Sequence, residues 1–473
     1  FKSVADVETA VLGAYAHIAN EQFYGRKLVL SLQLRSDMSD IGDRNTPGRR
    51  QQVNDFDMDS NNGMITAFWP RAYRIIGAAN AGIAGVEIVG GQSENEDLDA
   101  LEAEAKFLRA FTYYHLVRIF GDIPYIDFFI SNPDEVRDIA KTSETEVYAN
   151  IIADLEFAKA NLPDSYGGLR SRPTRGSAAA YLASVHLTLG NDQEAYNEAK
   201  FVIDNKDAFG YDLMPDFQEL FDGSMADGLA EHIFMVDFLG QVTGSDNQNT
   251  DWMGPITGIR SVSLPNTNAG WSVSVPAMTV FESWDERDYR REVSFIDSAF
   301  IGEDLVGYDQ FAPNHGSPRP HQGKYFRLCG SHRGDCGQSD NNYSAMRYAE
   351  ILLIAAEAAN NLGGRDAEVI GYINQIRARA RNWAGVQTDF PEDVTAGSGD
   401  LTAIIREERR LELAFEFKRW YDIKRWDIGD EVFKGTNSLE PHANFDASRD
   451  YYFPLPQDEL DRNTNLLPQN PGY

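Results

Sequence analysis

Cysteine is almost missing from this chain: 473 residues contain two, Cys329 and Cys336. A pair cannot build an all-cysteine zinc site, which needs four thiolates. Cationic residues are also in deficit, 43 Lys and Arg against 73 Asp and Glu, for a formal net charge of −30. That balance argues against nucleic acid as a ligand, because phosphate binding needs a basic surface. It disfavours any polyanion unless a local basic patch outweighs the global field. No apolar run approaches the ~20 residues of a membrane-spanning helix. GxSxG, HExxH, a Walker loop and a GxGxxG following a strand are all absent. What is present, 42% hydrophobic residues over this length, suffices for a substantial core and would allow more than one domain.

Apolar residues recur at helical spacing over Val4 to Asn20, Ile65 to Val89, Leu98 to Phe120 and Ser143 to Asn161. Ser143 and Glu146 have the spacing of a capping box. Pro173 to Leu189 and Asp192 to Ile203 read as a helix pair. Its small residues Ala183, Gly190, Ala195 and Ala199 allow close approach, as in a tetratricopeptide unit. Tyr348 to Asn361 with Asp366 to Ala380 reads as a second pair. One pair cannot bury its own apolar face, so several must stack. From about Asp212 to Asn342 helical periodicity fades and Gly, Pro, Ser, Thr and Asn become frequent. His232 to Phe238 and Tyr451 to Leu455 read as short strands. A second irregular stretch runs from Ser36 to Gly63.

Ile405 to Trp426, IREERRLELAFEFKRWYDIKRW, has no Gly or Pro to interrupt a helix. Glu408, Glu412 and Glu416 then share one face, and Leu411, Phe415, Trp420 and Ile423 supply the docking stripe. Alternating charge is usually a solvated face. The density of aromatics predicts instead a half-buried ion-pair network that holds helices together, a scaffold role. The pattern Glu408-Arg409, Glu412-Leu413, Phe415-Glu416, Arg419-Trp420, Asp422-Ile423, Arg425-Trp426 resembles the C-terminal signature of the SusD/RagB family. RYAEILLIAAEA ending at Ala358, INQIRARA from Ile373, KFLRAFTYYHLVRIFGDIP from Lys106 to Pro124, DVETAVLGAY from Asp6, YYFPLPQDEL and the closing NPGY resemble that family's landmarks in order. The resemblance spans nearly the whole chain.

It implies a mostly α fold, a scaffold of tetratricopeptide-like helix pairs with long irregular loops and a few short strands, forming a single domain over 1–473. The helical scaffold is expected at about 1–35, 64–210 and 343–428, the loop-rich ligand face at about 36–63 and 212–342, and a packed tail at 429–473. Members are non-catalytic surface lipoproteins of the outer membrane, extracellular face, that bind polysaccharide or oligosaccharide. They sit on a SusC-like TonB-dependent transporter as partner. The chain opens at Phe1 without a Met, as expected of a secreted protein trimmed just after a lipidated cysteine. For a cell-surface protein a local disulfide between Cys329 and Cys336 is favoured, with a Cys-His-Cys site through His332 and free thiols as the alternatives.

Long loops on a rigid scaffold usually carry function. Sugars offer apolar C–H faces and a rim of hydroxyls, so an aromatic platform flanked by Arg, Asn or Asp suits them. Trp252 in NQNTDWMGP and Trp271 in NTNAGWSVS have such surroundings, with local loop packing as the plainer reading. Tyr308 and Phe311 are weaker candidates. Trp69, Trp284, Trp420 and Trp426 are assigned to the scaffold. Arg44, Asn45 and Arg49, with Asp43 and Arg50, form a local basic patch. The bland alternative pairs these arginines with Asp55, Asp57 and Asp59. Those aspartates alternate as in a calcium loop but lack the Gly and terminal Glu of an EF-hand, so no calcium or other cofactor is expected. The acidic total favours a neutral glycan such as the β-glucan laminarin, with mannans and xylans as rivals. A sulfated or uronic polymer held by the arginines is the alternative. A helical glycoside hydrolase is the remaining one, but among 73 acidic residues carboxylate pairs carry no information.

Overall fold

A computed structural model describes the chain except for residues 91–96, 224, 226, 241–248, 261–269, 302, 312–317 and 326–340. Long helices dominate: α1 (Val4–Ile18), α2 (Lys27–Leu34), α3 (Gly48–Asn54), α4 (Ile65–Gly90), α5 (Asp97–Phe120), α6 (Glu144–Asn161), α7 (Arg175–Thr188) and α8 (Asp192–Asp204) precede the irregular centre. A short α9 (Met253–Thr257) lies within that centre. α10 (Tyr348–Leu362), α11 (Asp366–Ala380), α12 (Leu401–Glu412) and α13 (Arg419–Arg425) follow it. The helices stack in succession, α1 on α4, α4 on α5, α5 on α6, α6 on α7, α7 on α8, α8 on α10, and α10 on both α11 and α12. Ala183, Ala195 and Ala199 are fully buried, which is how α7 and α8 come close. Arg109 of α5 clamps α6 with a two-pronged pair to Asp154 at 2.7 and 2.8 Å. Ser143 caps α6 by accepting the Glu146 amide at 3.3 Å.

Strands are short and come in antiparallel twos. β1 (Ser39–Ile41) pairs with β3 (Ser274–Pro276), and β2 (His232–Val236) with β4 (Tyr343–Arg347). The first pair sews the early loop region to the central one. Tyr451 to Leu455 is not a strand, because its backbone is satisfied by other partners. The Phe453 amide donates to Ile119 O at 2.8 Å, and the Gln469 side-chain amide exchanges two hydrogen bonds with Leu455, both 2.8 Å. Asn470 then donates to Phe120 O and Phe453 O at 2.8 and 2.7 Å, fastening the tail to the end of α5.

The stretch from Ile405 to Trp426 is not one helix either. It stops at Glu412, turns through Phe415 and Phe417 at φ of 63° and 64°, and restarts at Arg419. A left-handed backbone at a non-glycine residue costs about 1–2 kcal/mol. The turn places Glu416 and the freed carbonyl of Glu412 around one guanidinium. Arg347 Nε donates to Glu416 at 2.7 Å, and its Nη2 donates to Glu412 O at 2.6 Å. Arg379 bridges Glu231 and Glu412, Arg290 reaches Asp288, Glu408 and Glu412, and Lys324 pairs with Glu416 at 2.7 Å. The network is fully buried rather than half-buried: Glu231, Glu408, Glu412, Arg290 and Lys324 are 0% exposed. Burial pushes the Glu412 carboxyl up, but Arg379, Arg347 and Arg290 outweigh it and hold it well below the usual carboxylate range. Glu231, Arg290 and Lys324 belong to the irregular centre, so these ion pairs anchor the loops to the helices.

Candidate functional site

Trp252 stands at the start of α9, where Met253 and Ile256 are completely buried and hold the turn in place. Its amide donates to Gly25 O at 3.2 Å, which docks it on the turn between α1 and α2. Asp251 fixes the start of α9 by accepting the Met253 amide at 2.7 Å. The chain leaves through Gly258 and comes back at Gly270, whose amide donates to Ile259 O at 2.9 Å. A Cβ on Gly270 would stand 2.1 Å from the Gly258 carbonyl carbon, so only glycine permits this approach. The Trp271 amide then donates to Pro255 O at 2.6 Å, and the Val273 amide to Ile256 O at 2.9 Å. The two indoles meet as a result, with ring centroids 5.6 Å apart and planes inclined by 37°. Both rings are half-buried.

Arg26 lies over Trp252, its guanidinium carbon 5.0 Å from the ring centroid, within cation–π range. Glu21 pairs with Arg26. Lys27, Arg49 and Arg50 gather behind them. Burial, then Arg49 and Arg26, pull the Lys27 ammonium down to about 8. Burial, Arg26 and Arg49 likewise hold Arg50 below its ordinary value. Arg50 rests on the Thr46 hydroxyl at 3.0 Å. Arg71, at the start of α4, donates to Gln22 at 2.9 and 3.2 Å, and its lowered value reflects burial and Arg74. Among the described residues no carboxylate lies in ion-pair reach of Lys27, Arg49, Arg50 or Arg71. The carboxylate that Lys27, Arg50 and Arg71 do feel is Glu21, already engaged by Arg26. Trp252 Nε1, Arg26 Nε and Arg49 Nε have no acceptor among the described residues.

The structure thus brings Trp252 and Trp271 together, sets Arg49 within electrostatic reach of Lys27 and Arg50, and places the other candidates elsewhere. Arg44 is exposed and pairs with Asp55 at 2.8 Å and Asp40 at 3.3 Å, the bland pairing. Asn45 is exposed, its amide bonded to Asp43 at 2.9 Å; Asp43 is itself paired with Arg260 at 2.5 Å. The Tyr308 ring packs against Phe281 at 5.5 Å between two small apolar clusters, and Phe311 is 1% exposed. Cys329, Cys336 and His332 lie outside the described residues. Sequence reading missed Arg26, Lys27 and Arg71. The charged turn EQFYGRK between two apolar helices was the available signal for the first two.

Residues 230–473 match the model of the SusD family, and residues 3–187 match one described as "Starch-binding associating with outer membrane". SusD-like protein P2 of Formosa agariphila is 49% identical over 100% of this chain and 93% of its own length. SusD-like protein P25 of the same organism is 26% identical over the same shares. Among solved structures, a SusD homologue from Bacteroides thetaiotaomicron superposes with a TM-score of 0.86 at 21% identity, covering 99% of this chain and 97% of its own. A laminarin-binding SusD-like protein superposes with a TM-score of 0.83 at 24% identity, over the full length of both chains. At such identities the likeness carries the fold alone.

Proposed function

The chain belongs to the SusD family, and from that membership we propose that it is a non-catalytic glycan-binding protein of the cell surface. It captures poly- or oligosaccharide on the loop face and passes it to a SusC-like TonB-dependent transporter in the outer membrane, to which a lipid anchor tethers it. The observation that carries this reading is the pair of indoles, Trp252 and Trp271, held side by side and half-open by loops rather than by a helix. Two inclined aromatic planes suit the C–H faces of successive pyranose rings, and the Arg26 guanidinium over Trp252 suits hydroxyl or anionic oxygens. A shallow site of this kind supports micromolar-to-millimolar affinity, which allows the ligand to be handed on.

Affinity gel electrophoresis over neutral and anionic polysaccharides tests it, followed by a reducing-end assay on whichever polymer retards the protein. Retardation that Trp252→Ala weakens, with no new reducing ends, is the expected result. Released oligosaccharide would replace the binding reading with the hydrolase alternative. The expectation of a neutral β-glucan such as laminarin rests on the global charge of −30. The charged side chain lying over Trp252 is a cation, Arg26.

A further inference from the structure

We infer that the tryptophan pair takes an anionic glycan, its sugar rings on Trp252 and Trp271 and its sulfate or uronate groups against Arg26, Lys27 and Arg49. This rests on the glycan-binding reading of the same face and specifies the class of glycan. The observations are local and electrostatic. Arg26, Lys27, Arg49, Arg50 and Arg71 converge on one turn of a molecule that carries thirty surplus negative charges, and Glu21 is the acidic group set among them. Other cations on the two loop regions and beside them are matched: Arg44 by Asp55, Arg260 by Asp43, Arg319 by Asp40, Arg419 by Asp37. Like charges held together without counter-charges are a cost to the fold, and an arriving anion removes that cost.

Geometry fixes how the anion would sit. Arg26 lies over the Trp252 ring, its guanidinium carbon 5.0 Å from the centroid, so a charged substituent of a glycan bound at the indole pair falls beside its guanidinium. Lys27 and Arg49 are half-buried and reachable, whereas Arg50 is 6% exposed and acts through its field. The guanidinium of Arg26 and the ammonium of Lys27 offer donors and no acceptor, and the ligand group that matches both their hydrogen bonds and their charge is an oxyanion. A neutral glucan would leave the cations as uncompensated as it found them.

The test uses affinity electrophoresis of the full chain in laminarin, alginate and carrageenan, which are neutral, uronate-bearing and sulfated respectively, with a single-stranded oligonucleotide as a competing polyanion. Retardation by alginate or carrageenan, several-fold stronger than by laminarin and falling about tenfold with added salt, is expected; which of the two binds distinguishes carboxylate from sulfate. The double variant Lys27→Gln/Arg49→Gln should weaken binding about tenfold and flatten the salt dependence, and Trp252→Ala should weaken it by about tenfold or more, each with an unchanged circular dichroism spectrum. If a variant misfolds, the salt dependence of the unaltered chain decides alone. Laminarin binding that is salt-independent would overturn the anionic assignment and leave glycan binding standing. Retention by no polysaccharide would overturn both. Equal competition by the oligonucleotide, or anion binding that Trp252→Ala leaves unchanged, would reveal an indiscriminate basic patch and overturn the proposal.

Discussion

Arg347 closes the end of the helix to which Glu412 belongs. One guanidinium nitrogen meets the Glu412 carboxylate at 2.5 Å and the other meets the Glu412 carbonyl at 2.6 Å. A single side chain thus neutralises a buried charge and caps an orphaned backbone acceptor, both of which would otherwise be costly.

Removing Glu412 leaves Arg347, Arg379 and Arg290 short of a counter-charge in a dry interior. Glu412→Ala is therefore expected to lose about 3–5 kcal/mol of stability, read as a large fall in melting temperature. Affinity for glycan in the protein that remains folded should be unchanged.

The same carboxylate sets an acid limit. Its folded value lies below the ordinary 4.5, so its contribution is complete above that pH and is lost as pH falls further. Thermal melts of the unaltered chain should collapse below pH 4.5, and those of Glu412→Gln should be flatter there.

Trp252→Ala and Trp271→Ala are each expected to weaken glycan binding by about 1–3 kcal/mol with the fold retained. Titration calorimetry on any polymer that retards the parent protein measures this. Unchanged affinity in both would remove the site.

Gly270→Ala should act on the same site without touching a ligand. The new methyl group would collide with the Gly258 backbone and push Trp271 out of register with Trp252. Overpacking of this sort costs about 1–3 kcal/mol. Binding should fall, and the distance between the indoles can be followed by their exciton signal in near-ultraviolet circular dichroism.

Glu440 offers a test with the opposite sign. Burial, and then Asp40, push its carboxyl up to about 8. Between 4.5 and 8 the folded chain holds a proton there that the unfolded chain releases, so this group's contribution to stability declines as pH rises across that window. Glu440→Gln escapes the decline. Its melting temperature should exceed that of the parent by a margin that widens from pH 5 to pH 9.

The helices were legible because the 3.6-residue period is a local property: Asp366 to Ala380 has the bounds read from the sequence. The break after Glu412 was not legible, since the favoured partner of its freed carbonyl, Arg347, lies far away in the chain. The same holds for Tyr451 to Leu455, whose hydrogen-bond partners are a side chain and the end of α5. Each tryptophan stood out by its polar neighbours, but their meeting depends on two glycines approaching across a loop. Arg49 and Arg50 were visible as neighbours in sequence. Arg26, Lys27 and Arg71 join them only in space, and Arg44, equally conspicuous in the sequence, turns to Asp55 instead.

The sealed ion pairs have a consequence for how dissolved salt acts on the molecule. Counterions cannot enter the cluster around Glu412, so dissolved salt leaves the interior attractions intact. The thirty surplus negative charges are mostly outside, where the same salt quiets their mutual repulsion. Ionic strength therefore acts on the surface charges and not on the cluster, and because like charges are in surplus there the melting temperature should climb with added salt.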